Sequence, residues 1–164
     1  MYKWFNDSLE ESCDCILIRI FFAFKGGYGQ FAALKTYNRD LKTLIAIGGW
    51  NEGSRKFSPL VADPQRRKTF IKSAIRFLRQ YNFDGLDLDW EYPTFRDGGK
   101  PEDRANYAKF VVEMRQAFES EAAQTGKPRL MITMAVPASL EYAGKGFDIK
   151  TLDKHLDFFN LLTY

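Results

Sequence analysis

The chain has 164 residues, room for one domain or less at roughly 100–200 residues per domain. Apolar residues make up 45% and charged residues 27%, so the composition is globular rather than disordered. With 24 basic and 21 acidic residues the net charge is +3, too mild to imply nucleic acid or an anionic membrane as partner.

Residues 1–11 are polar and acidic, unlike a secretory signal. Cys13 and Cys15 stand too close in sequence to bridge each other without strain. They form neither a disulfide framework nor a metal site, and Cys15 is a core thiol or half of a bridge to another partner. Asn6-Asp7-Ser8 fits the glycosylation sequon. The first apolar run, residues 16–24, is interrupted by Arg19, and no run approaches the ~20 residues of a membrane helix. A short helix is expected over residues 30–37. A second apolar run, residues 44–47, is stopped by Gly48-Gly49, with Trp50 directly after it. Asp63 and Pro64 read as the N-cap and first position of a helix. Its apolar stripe is Phe70, Ile71, Ala74, Ile75, Phe77 and Leu78. Arg66, Arg67, Lys72, Arg76 and Arg79 fill the other face, which is read as solvated.

The third run covers residues 83–90. A long helix follows over residues 101–125, with Tyr107, Phe110, Val111, Met114 and Phe118 on its buried side and Gly126 able to end it. The fourth run, residues 130–136, is stopped by Pro137. A short helix over residues 149–155 carries His155, the sole histidine, in a capping or surface role. The fifth run is residues 156–164. Short apolar runs alternating with helices predict an α/β fold with strands covered on both faces, as in a parallel sheet with right-handed crossovers. That is an open sheet or part of a (β/α)8 barrel, since a whole barrel takes ~200–250 residues.

The third run holds the chemistry. In Asp84-Gly85-Leu86-Asp87-Leu88-Asp89-Trp90-Glu91, strand alternation puts Gly85, Asp87, Asp89 and Glu91 on one face and Leu86, Leu88 and Trp90 on the other. The leucines suit packing against helices, so the acids point into a barrel or cleft, each ~6.7 Å from the next. Repulsion and desolvation raise at least one carboxyl pKa, and a group that holds its proton near neutrality is what a general acid requires. A solvated acidic surface does not suit the apolar flanks, and magnesium or calcium would want oxygens converging from loops. Glu91 falls at the C-terminal end of its strand, where α/β barrels keep catalytic residues. The residues alone thus reach an acid-catalysing α/β enzyme, without naming the bond it breaks.

Asp84-x-x-Asp87-x-Asp89-x-Glu91, followed by Tyr92-Pro93, resembles the signature of glycoside hydrolase family 18, the chitinases and chitinase-like lectins of animal type. Residues 41–50 resemble the third barrel strand of that family and Ala135-Val136-Pro137-Ala138 the fifth. Asn160-Leu161-Leu162-Thr163-Tyr164 resembles the sixth and Phe22-Ala23-Phe24 the end of the second. The resemblance implies a partial (β/α)8 TIM barrel, about strands 2 to 6, in a single incomplete catalytic domain over residues 1–164 whose residues 1–15 match nothing in the pattern.

It also implies hydrolysis of β-1,4-N-acetylglucosamine linkages in chitin, assisted by the substrate's own acetamido group. Glu91 would be general acid and base. Asp89 would orient the acetamido group, Asp87 would share a proton with Asp89, and Tyr164 would hydrogen-bond the acetamido carbonyl. Trp50 would stack on a sugar ring. Gly49, Phe24 and Tyr92 would line the substrate site, with Met134 and Ala135 as its floor, although Met134 suits the core equally. Trp90 is expected to pack against helices, and Asp84 to be structural. The implied partners are chitin or chito-oligosaccharides, with no cofactor, metal, nucleic acid, membrane or oligomer, and the implied location is extracellular. The alternatives are a chitinase-like lectin that binds without turnover, although such lectins typically lose the acid that Glu91 keeps, and a fragment that is inactive on its own.

The pattern has departures. Leu162 stands where Met is usual, and the Asp that should follow Tyr164 is absent. Strands seven and eight and the inserted α+β subdomain have no counterpart. The chain between Phe24 and Gly26 is shorter than the family pattern. An unclosed barrel is expected to expose strand edges and to leave the carboxylates wetter, with pKa values nearer normal.

Overall fold

The computed structural model describes residues 26–163. The first apolar run, Phe24, both cysteines and Tyr164 lie outside the described residues. Four parallel strands follow one another in space in chain order: β1 (Leu44–Gly48), β2 (Gly85–Asp89), β3 (Met131–Pro137) and β4 (Phe158–Leu162). Each matches an apolar run of the sequence to within a few residues. β2 is shorter than expected: it ends at Asp89, so Trp90 and Glu91 lie beyond it. The architecture is that of a partial (β/α)8 barrel.

The connections are helical. α1 (Gly27–Ala33) runs into a single 3-10 turn at Leu34–Thr36. α2 (Phe57–Ala62) and α3 (Pro64–Gln80) link β1 to β2. α4 (Asp103–Thr125) links β2 to β3. α5 (Leu140–Gly146) and α6 (Ile149–Leu152) precede β4. The Asp63 side chain accepts from the backbone N–H groups of Gln65 and Arg66, so it caps α3 as expected, and Pro64 takes the first position. Gly126, at φ 68°, ends α4.

Parallel register fixes which residues share a face. Leu86 pairs with Ile132 and Leu88 with Met134, and these side chains are fully buried. With Ile47, Trp90 and Val136 they pack against Phe57, Leu60 and Val61 of α2, Phe70, Ile71 and Leu78 of α3, and Tyr107, Phe110, Val111, Met114 and Phe118 of α4. The core therefore lies between the sheet and its helices. At ~25 cal/mol per Å2 of apolar area removed from water, this layer dominates the driving force for folding.

The basic face of α3 departs from expectation. Arg66, Lys72 and Arg76 are exposed, but Arg67 is buried. Its Nε and Nη2 donate to Glu113 of α4 at 2.7 and 2.9 Å, and its Nη1 donates to the Val61 carbonyl at 2.7 Å. Arg79 grips Glu121 in the same two-pronged way. A guanidinium fork matched to a carboxylate satisfies charges that burial would otherwise penalise, so these two arginines tie α3 to α4. Among the described residues no helix is long and apolar enough to cross a membrane.

Candidate active site

Asp87 and Asp89 stand on the sheet face opposite the helix-facing leucines. The register sets Thr133 of β3 beside Asp87. Its hydroxyl donates to Asp87 Oδ1, and Asn160 Nδ2 of β4 donates to the same oxygen at 2.9 Å. Three consecutive strands thus converge on one carboxylate. The sequence reading gave Thr133 and Asn160 no role. Their signal was inward parity: each lies on its strand's acid-side face, two polar residues among apolar ones.

Asp89 has the opposite surroundings. Its Oδ1 is buried and has no hydrogen-bond partner among the described residues. Burial, then the charge of Glu91, then that of Asp87 push its carboxyl up from 3.8 to about 6. The expectation of wetter carboxylates with near-normal values therefore fails at Asp89. The adjoining strand closes over it: Gly49 N donates to the Asp89 carbonyl at 2.7 Å. A Cβ on Gly49 would stand 3.7 Å from Asp89 Oδ2. Gly49 accordingly sits against the acid.

Glu91 lies just past the strand end and is buried, with 7% exposure. Strand alternation does not direct its side chain, yet its charge acts on Asp89. Trp90 is fully buried on the helix side, as expected. It stacks on Phe57 with centroids 5.0 Å apart and meets Tyr107 edge-on at 5.2 Å. Its indole donates to Ser54 Oγ at 2.9 Å, and Ser54 Oγ donates to the Phe95 carbonyl at 2.6 Å. The loop that carries Glu91 and Tyr92 is thereby pinned to the loop after β1. Sequence reading missed Ser54, a lone serine in a loop.

Trp50 is 55% exposed and so is not packed in the core. Tyr92 meets it edge-on at 6.4 Å and continues to Tyr142 at 4.9 Å. Ala135 is buried and pairs with Asn160, on the same face as Thr133. Met134 must be corrected. It pairs with Leu88 and Phe159 and belongs to the helix-side core, so it faces away from the acids and is no floor of the site. Asp84 is structural: its Oδ2 accepts from Thr43 N at 2.7 Å, Thr43 Oγ1 at 3.1 Å and Lys35 Nζ at 3.0 Å. Burial raises its pKa, but these three donors outweigh burial and leave it below 3.8. Among the described residues no three His, Cys, Asp or Glu side chains converge to hold a metal ion.

The family model described as glycosyl hydrolases family 18 matches residues 4–164. Mouse chitotriosidase-1 is 43% identical over 137 residues, 84% of this chain and 29% of that protein. The crystal structure of the group IV chitinase of Ostrinia furnacalis in complex with allosamidin superposes with a TM-score of 0.76 at 39% identity, over 85% of this chain and 36% of the other. Human YKL-39, described as a pseudo-chitinase with retained chitooligosaccharide binding, gives 0.76 at 36% identity over 84% and 36%. The chain thus spans about a third of the proteins it resembles.

Proposed function

The chain belongs to the glycosyl hydrolases of family 18, and from that premise we propose that it is part of a single catalytic domain that hydrolyses β-1,4-linked N-acetylglucosamine polymers. The observation that carries this reading is the desolvated Asp89, its proton held to about pH 6 beside Glu91 and Asp87. A carboxylate nucleophile would have to stay charged near neutral pH. A half-buried acid beside two others suits a reaction in which the substrate supplies the nucleophile.

In that reaction the acetamido oxygen of the sugar attacks its own anomeric carbon as Glu91 protonates the departing glycosidic oxygen. Asp89 orients the acetamido N–H and balances the positive charge that develops on the ring it forms. Glu91, now a carboxylate, takes a proton from water, which opens that ring with overall retention. Thr133 and Asn160 supply two donors to Asp87 and fix it below Asp89. Trp50, Gly49, Tyr92 and Ala135 bound the sugar site, and the family resemblance adds Tyr164 and Phe24, which lie outside the described residues. A polymeric substrate sets the site of action outside the cell.

The alternative is a lectin that binds without turnover, a reading supported by the likeness to YKL-39. The acid retained at Glu91 favours hydrolysis. The deciding measurement pairs turnover of a chromogenic chitobioside with calorimetric titration of an N-acetylglucosamine oligomer. Glu91→Gln should lower turnover by about 10^2–10^4-fold and leave binding intact. Full turnover in that variant would remove the assigned role. Binding without turnover in the complete catalytic domain would select the lectin.

A further inference from the structure

The loop after β2 is held in a way that hydrolysis as described above does not use. Thr94 and Arg96 both adopt left-handed backbone, at φ 68° and 67°. Non-glycine residues rarely enter that region unless their surroundings hold them there, and a β-branched threonine even less often. Ser54 Oγ holds the Phe95 carbonyl, and Gly99 N donates to the Arg96 carbonyl at 3.1 Å. Asp97 accepts from Arg55 Nε at 2.7 Å. Gly98 lets the loop press on Arg55, because a Cβ there would stand 2.9 Å from Arg55 Cα. The Gly99–Arg96 bond closes the loop on itself, and the Ser54, Asp97 and Gly98 contacts fasten it to the segment that carries Trp50. Their product is one contact: the Arg96 guanidinium lies 3.7 Å from the centre of the Trp50 ring, over its face.

We propose that Arg96 is a positioning residue for the sugar platform: it covers one face of Trp50 and sets the indole plane, so that a pyranose stacks on the opposite face. This rests on the reading of Trp50 as a sugar-stacking residue. The indole already has Tyr92 at its edge and Arg96 on one face, yet remains 55% exposed, so its open surface is the other face. An exposed side chain on a loop samples rotamers, and ordering it on binding costs affinity. A cation over the ring supplies that order beforehand.

The test has two arms. In the first, NMR of the intact chain reads the Arg96 side-chain resonances, which the Trp50 ring current should shift upfield and which Trp50→Leu should return to ordinary positions. An unshifted Arg96 in the parent chain would overturn the proposal whatever the ligand. In the second, calorimetry follows binding of the N-acetylglucosamine pentamer. Arg96→Ala should weaken it about two- to five-fold, the range expected of an exposed cation–aromatic contact. Arg96→Lys should recover part of the loss and Arg96→Met none. In a Trp50→Ala background, Arg96→Ala should have no further effect. Full recovery by Met, equal affinity for Arg96→Ala, or an undiminished loss without Trp50 would each overturn the proposal. Failure of the parent chain to bind the pentamer would remove the sugar-site reading and this role with it. A ring-current shift that persisted in that case would show that the function, and not the contact, was misread.

Discussion

Asp89 illustrates how a single side chain can cost the fold free energy. Its carboxyl holds its proton up to about pH 6 in the folded chain, against 3.8 when unfolded. Between those values the native state binds more protons than the unfolded one, so stability falls as pH rises through the window and levels off above about 6. Asp89→Asn removes the charge and should remove that component. Urea unfolding at pH 7 should find the variant more stable by about 1 kcal/mol, after discounting for the screening of a half-exposed group. At pH 4 the gap should close. Asp84 and Glu121, held low by their donors, contribute in the opposite sense, so the comparison is parent against variant at each pH. A variant less stable than its parent at pH 7 would show that Asp89 is not under strain. At this scale the sequence was informative about which acids share a face, because alternation in a short strand needs no tertiary knowledge. It also set Asp84 apart as structural, but did not show the donors that make it so, which come from residues 41 and 49 positions earlier. Met134 was misplaced because β3 is buried along nearly its whole length, so its composition does not show which side faces the acids. Only pairing with Leu88 decides it.

At the level of elements, glycine sets how closely β1 approaches β2. Gly48 has φ 112°, and a Cβ there would fall 2.1 Å from the Asp89 carbonyl oxygen. Gly53, at φ 58°, has nothing within 4 Å. Gly48→Ala therefore incurs both backbone strain and a collision with the Asp89 backbone, and should cost about 2–4 kcal/mol. Gly53→Ala incurs strain alone, about 1 kcal/mol. Denaturant midpoints of the two variants check the difference, and equal losses would mean that the strands yield easily. The sequence showed that Gly48-Gly49 stops a strand, but not that another backbone presses on it. It also missed α2 and α5, which are six and seven residues long and too short to display a helical period. The longer α3 and α4 were legible from their stripes and caps. The exception was the buried Arg67, whose partner Glu113 lies forty-six residues away.

On the scale of the whole molecule, the described sheet has its core on one side only, between strands and helices. β4 closes the order β1-β2-β3-β4 and pairs only with β3 among the described residues. Register turns Phe158 toward the acid side and Leu161 toward the helix side, and they remain 47% and 61% exposed. A terminal strand with apolar residues open on both faces and unpaired backbone groups is a template for another strand. A net charge of +3 gives little repulsion to oppose it. The chain as given should therefore self-associate at roughly tens of micromolar, within the range where exposed strand edges cause aggregation. Sedimentation velocity over a concentration series should show the mean mass rising. Phe158→Lys combined with Leu161→Lys should suppress the rise, because inward and outward charges on an edge strand penalise addition of a further strand. Neither residue donates to Asp87, so the Asn160 contact beside them should persist in the variant. A parent chain that stays monomeric across the series would overturn the prediction.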